Sequence, residues 1–262
     1  MKQRLDLLLV QRGLCPTRSR ARDEIRKGGV YVDGKAAEKA GQLCEEDAVL
    51  ELRDPLDYVS RGGLKLEKAM ALFSVSAEGK LCIDCGASSG GFTDCLLRSG
   101  ASKVYAVDVG FGQLAQELRE DPRVVNMERT NVRYLQPADL PEKPALAVID
   151  VSFISLRLIL PAVRELLTED GEILCLIKPQ FEAGRDKLGK KGVIRDRAVH
   201  KAVLDDFAAY TAAFGLALKG LSWSPIRGQE GNLEFLAHLV RGGEGVPQDT
   251  AAIVAAAHKE MY

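Results

Sequence analysis

The stretch Asp84-Cys85-Gly86-Ala87-Ser88-Ser89-Gly90-Gly91-Phe92-Thr93-Asp94 joins the end of an apolar run, a glycine-rich turn and a helix start. Gly86, Gly90 and Gly91 allow positive φ or a close approach of backbone to a ligand, and the free amides that open a helix favour an anionic group. The segment reads as a cofactor cradle. A dinucleotide fingerprint, Gly-x-Gly-x-x-Gly, needs its middle glycine where Ser88 stands, which weakens that option. A second apolar run, Val104-Tyr105-Ala106-Val107-Asp108, ends in an acid about 20 residues beyond the turn, where a ribose-hydroxyl acceptor belongs.

Outward from the turn, apolar runs alternate with helical stretches from Tyr58 to about Val240, the βα rhythm of a largely parallel sheet and hence an α/β fold. Strands are expected near residues 81–85, 103–108, 123–127, 145–150 and 172–178. A final pair near 216–223 and 232–240 is expected as an antiparallel hairpin, followed after Arg241 by a loop and a short terminal helix.

The first 52 residues follow a different pattern: helix, helix, small β unit. Leu5, Leu8 and Leu9 share a helix face, Gly13 stops that helix, and Thr17 is placed to cap the next. In the second helix Arg18, Arg22 and Arg26 recur every four residues as a basic stripe, backed by Arg20 and Lys27, with Ala21 and Ile25 on another side. Asp33-Gly34 marks a tight turn and residues 48–52 a closing strand. The chain is thus divided into a small α+β domain (1–52), a linker (53–59), a large domain (60–241) and a tail (242–262).

The 262 residues carry a formal charge of -1, but residues 1–40 hold ten Lys/Arg against five Asp/Glu, so the basic end is the N-terminus. No apolar run is long enough to span a membrane and the start lacks a signal-peptide core, so a cytoplasmic location without membrane insertion is expected. In that compartment the six cysteines (15, 44, 82, 85, 95 and 175) would be reduced. Cys82 and Cys85 lie in an expected strand, where positions i and i+3 point to opposite faces, so they read as buried small hydrophobes and no metal is assigned.

Two more expected strands end in ionisable residues, Asp150 and Lys178. In an open α/β sheet ligands bind beyond the carboxyl ends of the strands, so both should share the rim with Asp84 and Asp108. There the carboxylate would tune and orient the amine as an acid/base pair. Asn131, after the third strand, is a candidate adenine contact. Gly184-Arg-Asp-Lys187-Leu-Gly-Lys190-Lys191-Gly192 is a basic loop that would either close over RNA phosphates or be simply a mobile solvated loop, the former being favoured, and His200 in the next helix reads as structural.

These motifs resemble known families. Asp84-x-Gly86-x-x-x-Gly90-Gly91 looks like the first motif of class I S-adenosylmethionine (SAM)-dependent methyltransferases, which have a Rossmann-like sheet. The resemblance assigns Asp84, Gly86, Ser88, Gly90, Gly91, Asp108 and Asn131 to the cofactor. Arg4-Leu-Asp6, Thr17-Arg-Ser-Arg-Ala21 and Gly28-Gly-Val-Tyr-Val-Asp-Gly-Lys35 resemble the alpha-L RNA-binding domain of a small-subunit ribosomal protein. That likeness assigns Arg4, Arg18, Arg20, Arg22, Arg26 and Lys27 to RNA, joined by Lys187, Lys190 and Lys191 of the basic loop. The whole chain is similar to the FtsJ-like ribose methyltransferases, and more closely to the TlyA family, which adds that N-terminal domain. Their Lys-Asp-Lys-Glu set falls on Lys65 (in Ser60-Arg-Gly-Gly-Leu-Lys65-Leu), Asp150 (in Ile149-Asp-Val-Ser-Phe), Lys178 (in Leu176-Ile-Lys178-Pro) and Glu234 (in Gly231-Asn-Leu-Glu234-Phe).

The resemblance implies methylation of a ribose 2′-hydroxyl in ribosomal RNA or ribosomal subunits, at cytidine, with Lys178 as base or activator and Lys65 positioning the ribose. A base methyltransferase fits less well: Asp150-Val-Ser-Phe replaces the Asn-Pro-Pro-Tyr of amino methylation, and no Pro-Cys offers a nucleophile. A non-catalytic assembly factor would not need the four-residue set. The family's historical label, hemolysin, would require an amphipathic or spanning element for direct lysis.

Overall fold

Leu5, Leu8 and Leu9 are buried together with Ala21, Ile25 and Val30, which accounts for the apolar spacing of the first thirty residues. The computed structural model describes residues 2–53, 57–189, 192–228 and 230–262. Two units divide the chain, Met1–Arg61 and Gly62–Tyr262.

In the first unit, β1 (Lys2–Arg4) leads directly into α1 (Leu5–Gln11), and α2 (Arg18–Lys27) packs on α1. Thr17 caps α2 by accepting from the Arg20 amide at 3.1 Å, and Gly28 ends it at φ +85°. β2 (Val30–Val32) turns through Asp33 and Gly34, both at positive φ, into β3 (Lys35–Ala36), and β5 (Leu50–Leu52) pairs on the other side of β2. The turn is the expected tight hairpin. An antiparallel pair of β1 with β4 (Leu43–Glu45) is an addition to the expected pattern. Along α2, Arg18, Arg22 and Arg26 line one half-exposed face. Arg20, expected to back this stripe, lies two residues on and about 200° around the helix from Arg18. Its side chain is mostly covered and pairs with the buried Glu24 at 2.8 Å.

The second unit opens with α3 (Gly62–Phe73) and runs β6 (Leu81–Cys85), α4 (Gly91–Arg98), β7 (Lys103–Val107), α5 (Gln116–Arg119), β8 (Val124–Met127), β9 (Leu146–Ile149), α6 (Leu160–Leu166), β10 (Glu172–Ile177), α7 (Pro179–Glu182), α8 (Arg197–Ala213), β11 (Leu216–Trp223), β12 (Phe235–Arg241) and α9 (Thr250–Met261). These strands form one seven-stranded sheet in the order β11-β12-β10-β9-β6-β7-β8. β6 to β10 run parallel, while β12 is antiparallel to both β10 and β11. This is the Rossmann-like α/β sheet, with the expected C-terminal hairpin. β12 begins three residues later than expected because Gly231, at φ +91°, completes a tight turn closed by the Gly228 amide on the Asn232 carbonyl.

The strand order reverses between β6 and β9, which creates a topological switch point at their carboxyl ends. The core lies on the sheet, with Tyr105, Ile149, Ile177 and Phe207 among its buried members. α9 adds Val254 and Ala257 to that core, so residues 242–262 end in a packed helix. His200 is buried within α8 and shares a 2.9 Å Nδ1–Nε2 contact with His258. All six cysteines are buried; burial pushes the Cys15 thiol up to about 11 and that of Cys82 up to about 12. Among the described residues, no helix is long and apolar enough to cross a membrane.

Candidate active site

Beyond β6 the backbone turns through Gly86 (φ +93°), Ser88 (φ +49°) and Gly90 (φ +97°) into Gly91, the first residue of α4. Ser88 is a non-glycine residue in the left-handed region, and a single carboxylate holds it there. Its amide donates to Asp108 Oδ2 at 2.8 Å, while Asp108 Oδ1 accepts from the Gly110 amide at 2.6 Å. Asp108 therefore ties the glycine turn to the loop after β7. Two carboxylate oxygens offer about four acceptor sites, so a ribose hydroxyl is still accommodated.

The Thr130 amide donates to the Asp108 carbonyl at 2.9 Å, bringing the loop after β8 to the same rim. There Asn131 is exposed and caps a short 3-10 turn, accepting from the Arg133 amide at 3.1 Å. Asp84 lies beneath the turn rather than on its surface. Fully buried, its Oδ2 accepts from Thr93 Oγ1 at 2.7 Å, and its Oδ1 has no hydrogen-bond partner among the described residues. Burial, opposed by the Thr93 hydrogen bond, pushes this carboxyl up to about 7.

Across the switch point the other four predicted residues meet. Asp150 follows β9 and Lys178 follows β10; Glu234 precedes β12, whose antiparallel direction brings its start to the same edge, with Phe235 opposite Ile177. Lys65 reaches the edge from α3. Lys178 Nζ lies 2.5 Å from Asp150 Oδ1, Lys65 Nζ lies 3.7 Å from Asp150 Oδ2, and Lys65 Nζ donates to Glu234 Oε2 at 2.6 Å. The result is a chain of alternating charge, Lys178, Asp150, Lys65 and Glu234, in which the two lysines and Glu234 are buried and Asp150 is half-buried. Two ammonium groups balance two carboxylates, the condition under which such charges tolerate burial. Burial pushes Asp150 up, but Lys65 and Lys178 outweigh it and hold the carboxyl below the usual range.

Three further residues belong to this site, none of which has a role assigned from the sequence. Ser152 Oγ accepts a second hydrogen bond from Lys178 Nζ, at 3.0 Å. Phe153, next along, is 92% exposed with φ +66°, and its ring centroid stands 5.2 Å from that of Phe181. An aromatic residue at positive φ and this exposed is strained and little packed, a combination that accompanies function more often than folding. Gly228 is the third: a Cβ there would stand 2.5 Å from Glu234 Oε1. Lys187, in the basic loop, pairs with Asp186 at 3.3 Å and is half exposed; Lys190 and Lys191 lie outside the described residues.

The FtsJ-like methyltransferase family matches residues 58–241, and the S4 domain matches residues 3–50. The chain is an FtsJ-like methyltransferase of the TlyA family. Among its relatives is the Bacillus subtilis protein YqxC, named provisionally as an rRNA methyltransferase, 52% identical over 99% of this chain and 95% of the relative. The Mycobacterium tuberculosis 16S/23S rRNA (cytidine-2′-O)-methyltransferase TlyA is 40% identical over 91% of this chain and 90% of its own. A solved structure from Streptococcus thermophilus, provisionally described as a hemolysin, is 47% identical, with a TM-score of 0.81 over 99% of this chain and 96% of that one. FtsJ-like membership accounts for the sheet, and the S4 match accounts for the basic first unit.

Proposed function

We propose that this FtsJ-like chain transfers a methyl group from SAM to a ribose 2′-hydroxyl of ribosomal RNA, at a cytidine. The observation that carries the reading is the Lys178-Asp150-Lys65-Glu234 array at the switch point, immediately beside the glycine turn. The names of the TlyA relatives support ribose and cytidine as the target. The cytoplasm, where ribosomes are assembled, is the compartment this reading implies.

The residues fit SAM on three counts. Gly86 and Gly90 both hold positive φ, so the turn carries no side chain at either position and its backbone can approach a ligand closely. Asp108 stands at the turn with acceptor capacity for a ribose. The buried Asp84 Oδ1 has no donor among the described residues and is an acceptor that a ligand would satisfy. Gly86, Ser88, Gly90 and Gly91 would hold the methionine portion, Asp108 the ribose hydroxyls, and Asn131 the adenine edge. When bound, SAM supplies a sulfonium methyl electrophilic enough for direct attack.

The chain's own contribution is to the attacking oxygen. A ribose hydroxyl is a weak acid, and the oxygen gains negative charge as it loses its proton and attacks. Lys178 Nζ meets that oxygen as base or as stabilising cation. Asp150 and Ser152 fix where the Nζ points, and Lys65, itself pinned by Glu234, positions the ribose. The exposed face of Phe153 offers a stacking surface for the base attached to the reacting ribose. In the first unit, Arg4, Arg18, Arg22, Arg26 and Lys27 contact RNA phosphates, which gives affinity without base readout. Lys187, Lys190 and Lys191 add to this from the basic loop.

Methyl transfer from labelled SAM to purified ribosomal subunits, with alkali-resistant ribose sites mapped afterwards, tests the assignment. Label recovered on a base would sink the ribose target, and equal labelling by Lys178→Ala would sink the mechanism.

A further inference from the structure

Asp6 is fully buried in the first turn of α1, yet three guanidinium groups close on its carboxylate. Arg4, on β1, donates through Nε to Oδ1 at 3.0 Å and through Nη2 to Oδ2 at 3.1 Å. From α2, Arg18 Nη2 and Arg22 Nε reach Oδ2 at 3.0 and 3.2 Å. We propose that Asp6 is a positioning residue that presets Arg4, Arg18 and Arg22 as one cradle for an RNA phosphate. The inference rests on the reading of the first unit as RNA-binding and says how that unit binds.

The charge count argues for it. One arginine already neutralises the charge of the carboxylate, and Arg4 alone does so through a bidentate pair of hydrogen bonds. Arg18 and Arg22 therefore leave two positive charges uncompensated around Asp6. Clustering cations beyond what a carboxylate needs costs self-repulsion, which an anionic ligand relieves. The three side chains are also 44–46% exposed, while the carboxylate that gathers them is not exposed at all.

The geometry serves a phosphate as well. A guanidinium carries five N–H donors in a planar fork. Arg4 spends two on Asp6, and Arg18 and Arg22 one each, so every arginine keeps donors on its exposed side. A free arginine side chain holds rotamer entropy that binding would have to remove. Anchored on Asp6, the three forks have already lost much of it in the unbound protein, and the phosphate meets a preset site.

Asp6→Asn makes the test sharp, because it raises the net positive charge while releasing the arginines. Binding of the full chain to a structured fragment of ribosomal RNA is measured across a range of salt concentrations. The expectation is affinity about tenfold lower at 0.1 M salt and a log–log salt slope shallower by about one or two, with SAM affinity unchanged. Equal or tighter binding, the outcome of charge alone, overturns the proposal.

Should Asp6→Asn unfold the first unit, the double variant Arg18→Lys with Arg22→Lys decides instead. It keeps the charge but removes the forks, and wild-type affinity from it refutes the cradle. Arg18→Glu with Arg22→Glu separates the two levels of inference. If that variant still binds RNA as the parent does, the RNA reading of the unit fails. If it alone loses binding, only the positioning role of Asp6 fails.

Discussion

Gly86 and Asp150 meet backbone to backbone at the switch point: a Cβ on Gly86 would stand 2.8 Å from the Asp150 carbonyl oxygen and 3.2 Å from Val151 Cα. The cofactor turn and the segment bearing the central carboxylate are packed with no room for a methyl group. Gly86 also sits at φ +93°, a region that costs an L-residue about 1–2 kcal/mol. Gly86→Ala should force the two segments apart, so that SAM affinity and the rate of methyl transfer both fall by about tenfold or more, since 1.4 kcal/mol is a factor of ten. Calorimetric titration with SAM and single-turnover assays measure the two separately. Unchanged values for both would show that the contact is dispensable.

Lys178→Ala removes the group next to the attacking oxygen while leaving the glycine turn and Asp108 untouched. A loss of about 10²–10⁴-fold in kcat is expected, with SAM affinity retained. Asp150→Asn acts differently, because it leaves Lys65 and Lys178 buried without their shared anion; breaking such a pair costs about 3–5 kcal/mol. Asp150 titrates below its unfolded value of about 3.9, so the stability it adds is present above that pH and is lost as pH falls through the folded value. The gap in Tm between parent and Asp150→Asn should therefore be wide at pH 7 and close below about pH 4.

Phe153 gives the substrate side its own test. At φ +66° and 92% exposed, it contributes strain and little packing, so Phe153→Gly should raise Tm slightly. Stacking of a base on an aromatic face is worth about 1–3 kcal/mol, and the same variant should raise KM for RNA by about tenfold with SAM affinity unchanged. A variant that is both more stable and fully active would remove Phe153 from the site.

Much of this was legible from residue order, for physical reasons that also explain the gaps. Strands buried on both faces are continuous apolar runs, so β6, β7, β9 and β10 appear within two residues of their expected bounds. The glycine turn is visible because positive φ demands glycine, and the strand-end acids and lysines because charge after an apolar run is conspicuous. Pairing between distant short segments is not: Lys2-Gln-Arg4 is polar and only three residues long, and nothing local says that it joins Leu43–Glu45. Likewise Arg20 belongs to the basic composition of α2, but helix phase and the buried Glu24 turn it away from the stripe. Ser152, Phe153 and Gly228 acquire their meaning only from what folds against them.

Asp84 offers a prediction in which the sign of the pH dependence is the opposite of that for Asp150. Its carboxyl titrates at about 7 because it is buried, with Thr93 the one side-chain donor and Oδ1 without a partner among the described residues. Between about 3.9, the unfolded value, and the folded value, the native chain keeps a proton that the unfolded chain has released, so stability falls as pH rises. A shift of about three units corresponds to roughly 4 kcal/mol at most, reached above neutrality. Asp84→Asn retains an acceptor for Thr93 and cannot ionise. Thermal melts from pH 4 to pH 8 should therefore show the variant close to the parent at the acid end and increasingly more stable toward pH 8. A constant difference across that range would mean that Asp84 titrates as an ordinary carboxylate and that its burial is compensated by a donor on Oδ1.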